Sequence, residues 1–314
     1  MAESIVVLRV IKTIVGLLGF FGNSLVCLVI YKTQAMHTKT NAFIANQAVI
    51  DFMGSITLLL GSNIPLPKPL PDGGFGDFIC RVWDSDFFLW AFLTSSTINL
   101  VFLTFERYFA IVFPFKFARF YGPTTVTVMM AASWLIGCCS SSYNIFFYAN
   151  INGTCLSLSI PGSQAIGVMI FFLQYAIPVT AILLAYIHIT IVLKRGAAQI
   201  GPQPSSQSAN RSAVESAGDS LLRARRNTFK TLFLVFVTYV FCWTLNAVIF
   251  FMFNFGYQLD FEGALYIVSV ALVASNSCAN PIIYAVKYRQ FRQGLAKMFG
   301  RRQAEVINSN GGTA

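Results

Sequence analysis

Charge is what this sequence most lacks. Asp and Glu together number 12 in 314 residues, and charged side chains make up 11% of the chain, too few to cover a soluble protein of this length. Between Arg119 and Lys194 there are 74 consecutive positions without a charged residue, whereas one bilayer crossing needs about 20 apolar residues. Histidine is rarer still. His37 and His188 lie far apart in the chain, and no nucleophile or metal-ligand set accompanies them, which argues against an enzyme. No internal repeat stands out, which weakens a transporter or channel using Asp51 as a proton or cation relay. Met1 to Ile11 has no basic start leading to an apolar stretch and a small-residue cleavage site, so the first span is expected to act as its own insertion signal. Apolar and aromatic residues are abundant instead: 56% of the chain is hydrophobic and 31 residues are Phe, which excludes disorder.

Seven charge-poor runs follow: Thr13 to Tyr31, Thr40 to Leu60, Phe87 to Phe105, Val126 to Phe147, Ala165 to Leu193, Thr231 to Phe255 and Gly263 to Val286. Each suits a helix rather than a barrel strand of about 10 alternating residues, so the expected fold is an all-α membrane bundle of seven transmembrane helices. An outside amino terminus puts 18 of the 22 Lys and Arg on the cytoplasmic side. The net charge of +10 is thereby explained by topology, and a nucleic-acid partner is not expected because the basic residues are split among short segments. The opposite side carries Glu3, Asp72, Asp77, Asp84, Asp86, Asp260 and Glu262, an acidic rim that would attract cations. Residues 1–299 are read as one transmembrane domain with a flexible third inner loop at about 196–222, and 300–314 as a cytoplasmic tail. Tyr288, Phe291, Leu295 and Phe299 recur at helical spacing with Arg289, Arg292 and Lys297 between them, which predicts a short amphipathic eighth helix on membrane lipid.

Outside the spans, Cys80 and Cys155 both fall on the outer side, where an oxidising compartment permits a bridge. Asn152-Gly153-Thr154 is the outer glycosylation sequon. Within the spans, Asp51 is the one acid at the centre of a run. A charge there needs polar company, and Ser96, Asn276, Ser277 and Asn280 lie at comparable depth. The residues alone admit either a hydrogen-bonded knot or a seat for a monovalent cation. Glu106, Arg107 and Tyr108 end the third span; an exchangeable ion pair or an arginine snorkelling to the interface both suit them. In Asn280-Pro281-Ile282-Ile283-Tyr284, the proline removes a backbone donor where Asn280 could engage freed carbonyls.

Taken in order, Gly22-Asn23, Asn46 with Asp51, Phe75-Gly76 ahead of Cys80, Glu106-Arg107-Tyr108, Trp134, Pro178 with Tyr186, Cys242-Trp243, Asn276 and Asn280-Pro281-Ile282-Ile283-Tyr284 resemble the landmarks of rhodopsin-like G-protein-coupled receptors. The resemblance runs from residue 13 to about 299. It implies a Cys80–Cys155 disulfide, a sodium ion at Asp51, Ser96, Asn276, Ser277 and Asn280, no other cofactor, and coupling to a heterotrimeric G protein at the plasma membrane. Arg107 is then expected to leave Glu106 and meet Tyr186 and Tyr284 when the sixth helix swings outward. The sequence departs from the pattern in three places. Leu245 stands where the family usually has proline two residues after the tryptophan; Cys80 lies 27 residues before Arg107, two more than usual; and no cysteine follows Cys278.

Ala274 occupies the position at which a retinal pigment carries its lysine, which excludes an opsin. Biogenic-amine receptors place an aspartate where this chain has Leu89 or Phe87, and Asp86 fits neither count. The pocket carried over from the family comprises Leu89, Trp90, Leu93, Gln174, Trp243, Asn246, Phe250, Tyr266 and Val270, with Asp86 at its edge. An aromatic, uncharged pocket below acidic residues suits a short neuropeptide-like ligand whose basic group or amino terminus rests on Asp84, Asp86, Asp260 or Glu262. A lipid ligand is the main rival.

Overall fold

A computed structural model of the chain describes residues 2–158, 160–199, 209–260 and 263–299, with side chains placed over 6–158, 160–195, 228–260 and 263–299. Among the described residues, seven helices are long and apolar enough to cross a membrane, as expected of a multi-pass membrane protein. They are α1 (Ala2–Lys32), α2 (Lys39–Asn63), α3 (Phe87–Val112), α4 (Pro123–Ser141), α5, α6 (Ala209–Asn254) and α7 (Ala264–Lys287). The fifth is composite: Ser163–Phe171 runs through a π-helical turn at Phe172–Ala176 into Ile177–Gln199. A further short helix, α8 (Arg289–Met298), follows α7.

Two boundaries differ from the sequence reading. Helix α1 reaches back to Ala2 instead of starting near Thr13, because Glu3, Arg9 and Lys12 end an apolar run without ending a helix. The segment at 196–222, expected as a flexible loop, is helical at both ends, in the last turn of α5 and the first turns of α6. Propagation from an existing helix is inexpensive, and Ala213, Glu215, Ala217, Leu221, Leu222, Arg223 and Ala224 are good helix formers. Residues 200–208 of that loop, and the tail at 300–314, lie outside the described residues.

Close helix contacts rest on small residues. A Cβ at Gly137 of α4 would fall 2.6 Å from the Ala91 carbonyl oxygen of α3, so only glycine permits that approach. Helix α8 comes close at Gly294 to the side chains of Val29 in α1 and of Thr33 and Met36 just beyond it. Of the apolar face predicted for α8, Tyr288 and Phe291 are buried in the bundle while Phe299, just past its end, is exposed.

The Cys80–Cys155 disulfide is present, with Cα atoms 5.3 Å apart. It ties a two-stranded antiparallel hairpin, β1 (Tyr148–Ile151) and β2 (Thr154–Ser157), to the π-helical turn Ile79–Asp84 that precedes α3. Asn152 and Gly153 form the hairpin tip at φ 52° and 79°, the backbone a two-residue turn requires, which leaves the sequon asparagine exposed. Ahead of α3 the chain leaves the π turn and breaks at Asp86, a non-glycine residue at φ 56°. These two irregularities lie where the surplus residues between Cys80 and Arg107 must be taken up.

Candidate functional site

At the disulfide end, a cavity of about 150 Å³ opens among α1, α2, α3 and α7. Leu58, Leu89, Leu93, Val270, Val273 and Ala274 form its apolar wall. Lys12 of α1, Asp84 and Asp86 from the break before α3, Tyr148 of the hairpin and Tyr266 of α7 supply its polar side. Lys12 stands near Asp86, and Lys68 near Asp84. Burial, with the Asp86 and Asp84 carboxylates nearby, pushes the Tyr148 phenol above its ordinary pKa, so it remains a neutral donor. Asn144 is buried in the same wall, and its Nδ2 makes no hydrogen bond.

Six of the residues expected around a ligand, Asp86, Leu89, Trp90, Leu93, Tyr266 and Val270, thus share one cavity wall. Gln174, Trp243, Asn246 and Phe250 do not. Asn246, Trp243 and Gln174 instead make contacts among α3, α5, α6 and α7. Asn246 Nδ2 donates to Ser269 Oγ of α7 at 3.1 Å, drawing α6 onto α7. Trp243 packs against Trp90 at 6.5 Å and Tyr239 at 5.6 Å between ring centroids. Gln174 lies in the π turn of α5, where its carbonyl accepts from Tyr239 Oη at 3.1 Å. The π turn and this bond share a cause, since Pro178 has no N–H for the carbonyl four residues back. Of the other acids expected to meet a ligand, Asp260 precedes α7 and does not line this cavity, and Glu262 is outside the described residues.

Halfway along the bundle, Asp51 is fully enclosed. Asn280 Nδ2 donates to its Oδ2 at 2.9 Å, and Gln47 Nε2, one turn earlier on α2, donates to both carboxylate oxygens at 3.4 and 3.2 Å. The same Gln47 nitrogen donates to Ser96 Oγ. Ser96 and Asn280 therefore stand with Asp51 as expected, but Asn276 and Ser277 make no hydrogen bond to the carboxylate. The Ser277 carbonyl, freed by Pro281 four residues on, accepts from Asn23 Nδ2 of α1 at 2.8 Å. Asn280, expected to engage such carbonyls, is held by Asp51 instead. As arranged, this donor set does not fit a sodium ion: the room between the carboxylate and Ser96 is bridged by an amide that already donates to both. Gln47 was legible as an i, i+4 neighbour of Asp51 and was overlooked, as were Asn23 as a carbonyl partner and Asn99.

At the opposite end, Arg107 pairs with Glu106 through Nε and Nη2, and Thr40 Oγ1 of α2 donates to the same carboxylate at 3.3 Å. Glu106 is buried completely. It is the one ion pair among the described residues. Tyr108 does not join it; its hydroxyl lies 3.0 Å from His188 Nδ1 on α5. Tyr186 and Tyr284, the expected partners of a released Arg107, are buried with hydroxyls that make no hydrogen bond. Tyr186 is packed among Phe229, Phe233 and Phe236, and Tyr284 against Tyr288 and Phe291. Burial pushes the Tyr288 phenol up to about 12, so it stays protonated and donates to Asn41 Oδ1 at 2.7 Å.

Helix order, disulfide, a seventh helix with Pro281 inside it and the buried acid–base pair together define a seven-helix membrane receptor. The sequence profile of the family described as "7 transmembrane receptor (rhodopsin family)" matches residues 22–284, and the chain belongs to that family. Galanin receptor 2b of Danio rerio is 27% identical over 96% of this chain and 79% of its own length. Somatostatin receptor type 1 of Rattus norvegicus is 29% identical over 94% of this chain and 72% of its own. Trace amine-associated receptor 4 of Mus musculus is 30% identical over 87% and 79%.

Proposed function

We propose that the chain is a plasma-membrane receptor with its amino terminus outside, activated by a short peptide and coupled to a heterotrimeric G protein. Two relatives named for the peptides galanin and somatostatin support the ligand class. The observation that carries the mechanism is the place of Trp90, which lines the cavity on one side and meets Trp243 on the other. A ligand side chain entering the cavity would displace Trp90, and the displacement would pass through Trp243 and Tyr239 to the joint between α5 and α6. At the far end, an outward α6 would uncover Tyr186, let Arg107 exchange Glu106 for Tyr186 and Tyr284, and hold open a cleft for the G protein.

The ligand's cationic group, an amino terminus or a basic side chain, belongs at Asp84 and Asp86, the two rim acids on the cavity wall. A second reading, a small amine, is favoured by the same Asp86 carboxylate and by the relative named for trace amines. Screening a peptide library and an amine panel on cells carrying a promiscuous G-protein reporter separates the two. For either class, Asp86→Asn with Asp84→Asn should weaken potency by roughly tenfold or more, the worth of a charge-assisted hydrogen bond of about 1.5–3 kcal/mol. Undiminished potency at normal surface expression would favour a lipid.

A further inference from the structure

The hydrogen bonds around Asp51 form a directed chain whose direction is fixed at one end. The indole of Trp134 on α4 can only donate, and its Nε1–H reaches Asn46 Oδ1 on α2 at 3.0 Å. Asn46 must then present its nitrogen to Asn99 Oδ1 on α3, at 2.8 Å. With its oxygen occupied, Asn99 turns its own nitrogen to the Phe43 carbonyl at 3.0 Å and to Gln47 Oε1 at 2.7 Å. Gln47 is left with only its nitrogen for Asp51 and Ser96. Were the Gln47 amide reversed, its one oxygen would face the carboxylate oxygens and its nitrogen would face the Asn99 nitrogen. A donor-only group on α4 thus dictates that an N–H, and not a lone pair, meets the acid in the middle of the bundle.

From this we infer that Gln47 takes the place of a cation: the amide held by Trp134, Asn46 and Asn99 satisfies Asp51, and the receptor is insensitive to sodium. A monovalent cation at the carboxylate would need lone pairs from Ser96 and from an amide oxygen. Here Ser96 accepts from Gln47, both carboxylate oxygens accept from amide nitrogens, and the next amide oxygen is spoken for by Asn99. Sodium could enter only by displacing Gln47 Nε2, which would leave that nitrogen buried without an acceptor. The same carboxylate with an apolar side chain at 47 would lack this donor and would have room and lone pairs for the ion. The inference concerns this one ion site and does not depend on which ligand the receptor takes.

Thermal unfolding of the purified full chain in sodium chloride and in choline chloride, at equal ionic strength, tests it without an agonist. The native receptor should melt at the same temperature in both. Gln47→Leu, and Gln47→Ala as a smaller replacement should leucine misfold, should gain several degrees in sodium only, a gain abolished by adding Asp51→Asn. Sodium-specific stabilisation of the native chain that Asp51→Asn removes would overturn the inference. So would the absence of any sodium response in both folded position-47 variants, since Gln47 would then not be what excludes the ion. Sodium-23 line broadening on the native receptor, expected to match that of Asp51→Asn, reads the first limb even if neither variant folds.

Discussion

The two sides of the bundle meet the same backbone problem with different chemistry. On each, a proline frees a carbonyl four residues earlier, Ser277 before Pro281 in α7 and Gln174 before Pro178 in α5, and a neighbouring helix supplies the missing donor. In α7 the donor is Asn23, which also donates to the Gly19 carbonyl of its own helix. The surroundings there are amides and a carboxylate, nearly all bonded. In α5 the donor is Tyr239 of α6, among aromatic rings and beside Trp243, whose indole N–H makes no hydrogen bond. Amide networks have several bonds to break before anything moves; a phenol on an aromatic face has one. The α1–α2–α7 side is therefore the fixed frame and the α5–α6 side the moving part, a division drawn from hydrogen bonding alone.

Breaking the frame should have the larger effect. Asn23→Ala removes two donations and leaves the Ser277 carbonyl buried without a partner, at a cost of about 1–3 kcal/mol for the orphaned group alone. Detergent-solubilised receptor should lose several degrees of melting temperature, with little change in the fraction signalling without agonist. A variant as stable as the native chain would dissolve the contrast between the two sides.

Loosening the joint should do the reverse. Tyr239→Phe deletes the bond to the Gln174 carbonyl, worth about 1 kcal/mol, which corresponds to roughly fivefold in a two-state population. Basal G-protein activation in a membrane nucleotide-exchange assay should rise by about that factor, while melting falls less than for Asn23→Ala. Unchanged basal activity would mean that the bond persists when α6 moves. Helix α6 has a second tie at this level: Tyr175 Oη meets Thr244 Oγ1 at 2.5 Å, and Thr244 donates to the Val240 carbonyl at 2.6 Å. A threonine bonded back to its own helix bends it slightly, beside the Leu245 that replaces the usual proline.

How much of this was readable in the sequence divides along the same line. Spans, orientation of the basic residues and the eighth helix depend on local composition, and charge gaps mark them even though helices such as α1 and α6 run on past the apolar core. Asp51, Ser96 and Asn280 were legible as polar residues at one depth. Which of them touch, and that Gln47 comes between, is set by side chains on four helices choosing donors and acceptors, and no single segment encodes that choice. The division of the expected ligand residues has a related origin. Those on α3 and α7 line the cavity and those on α5 and α6 do not, while its opening toward Lys12 of α1 and the Asn246–Ser269 bond on the opposite side follow from packing.

The smallest effect on stability should accompany a distinct effect on signalling. The Tyr186 hydroxyl is buried without a hydrogen bond, while its ring is packed among Phe229, Phe233 and Phe236. Tyr186→Phe keeps the ring and deletes an unpaired polar atom, so melting should stay within about 0.5 kcal/mol of native, or rise, because replacing an unsatisfied group removes a penalty. If that hydroxyl finds Arg107 and Tyr284 once α6 has moved, the bond it makes exists only in the signalling state. Maximal agonist response should then fall several-fold at unchanged receptor abundance, and Tyr284→Phe should behave alike without adding to it, since the hydroxyls act as one unit. Additive losses, or a loss of stability matching the loss of response, would place these tyrosines in the frame instead of the moving part.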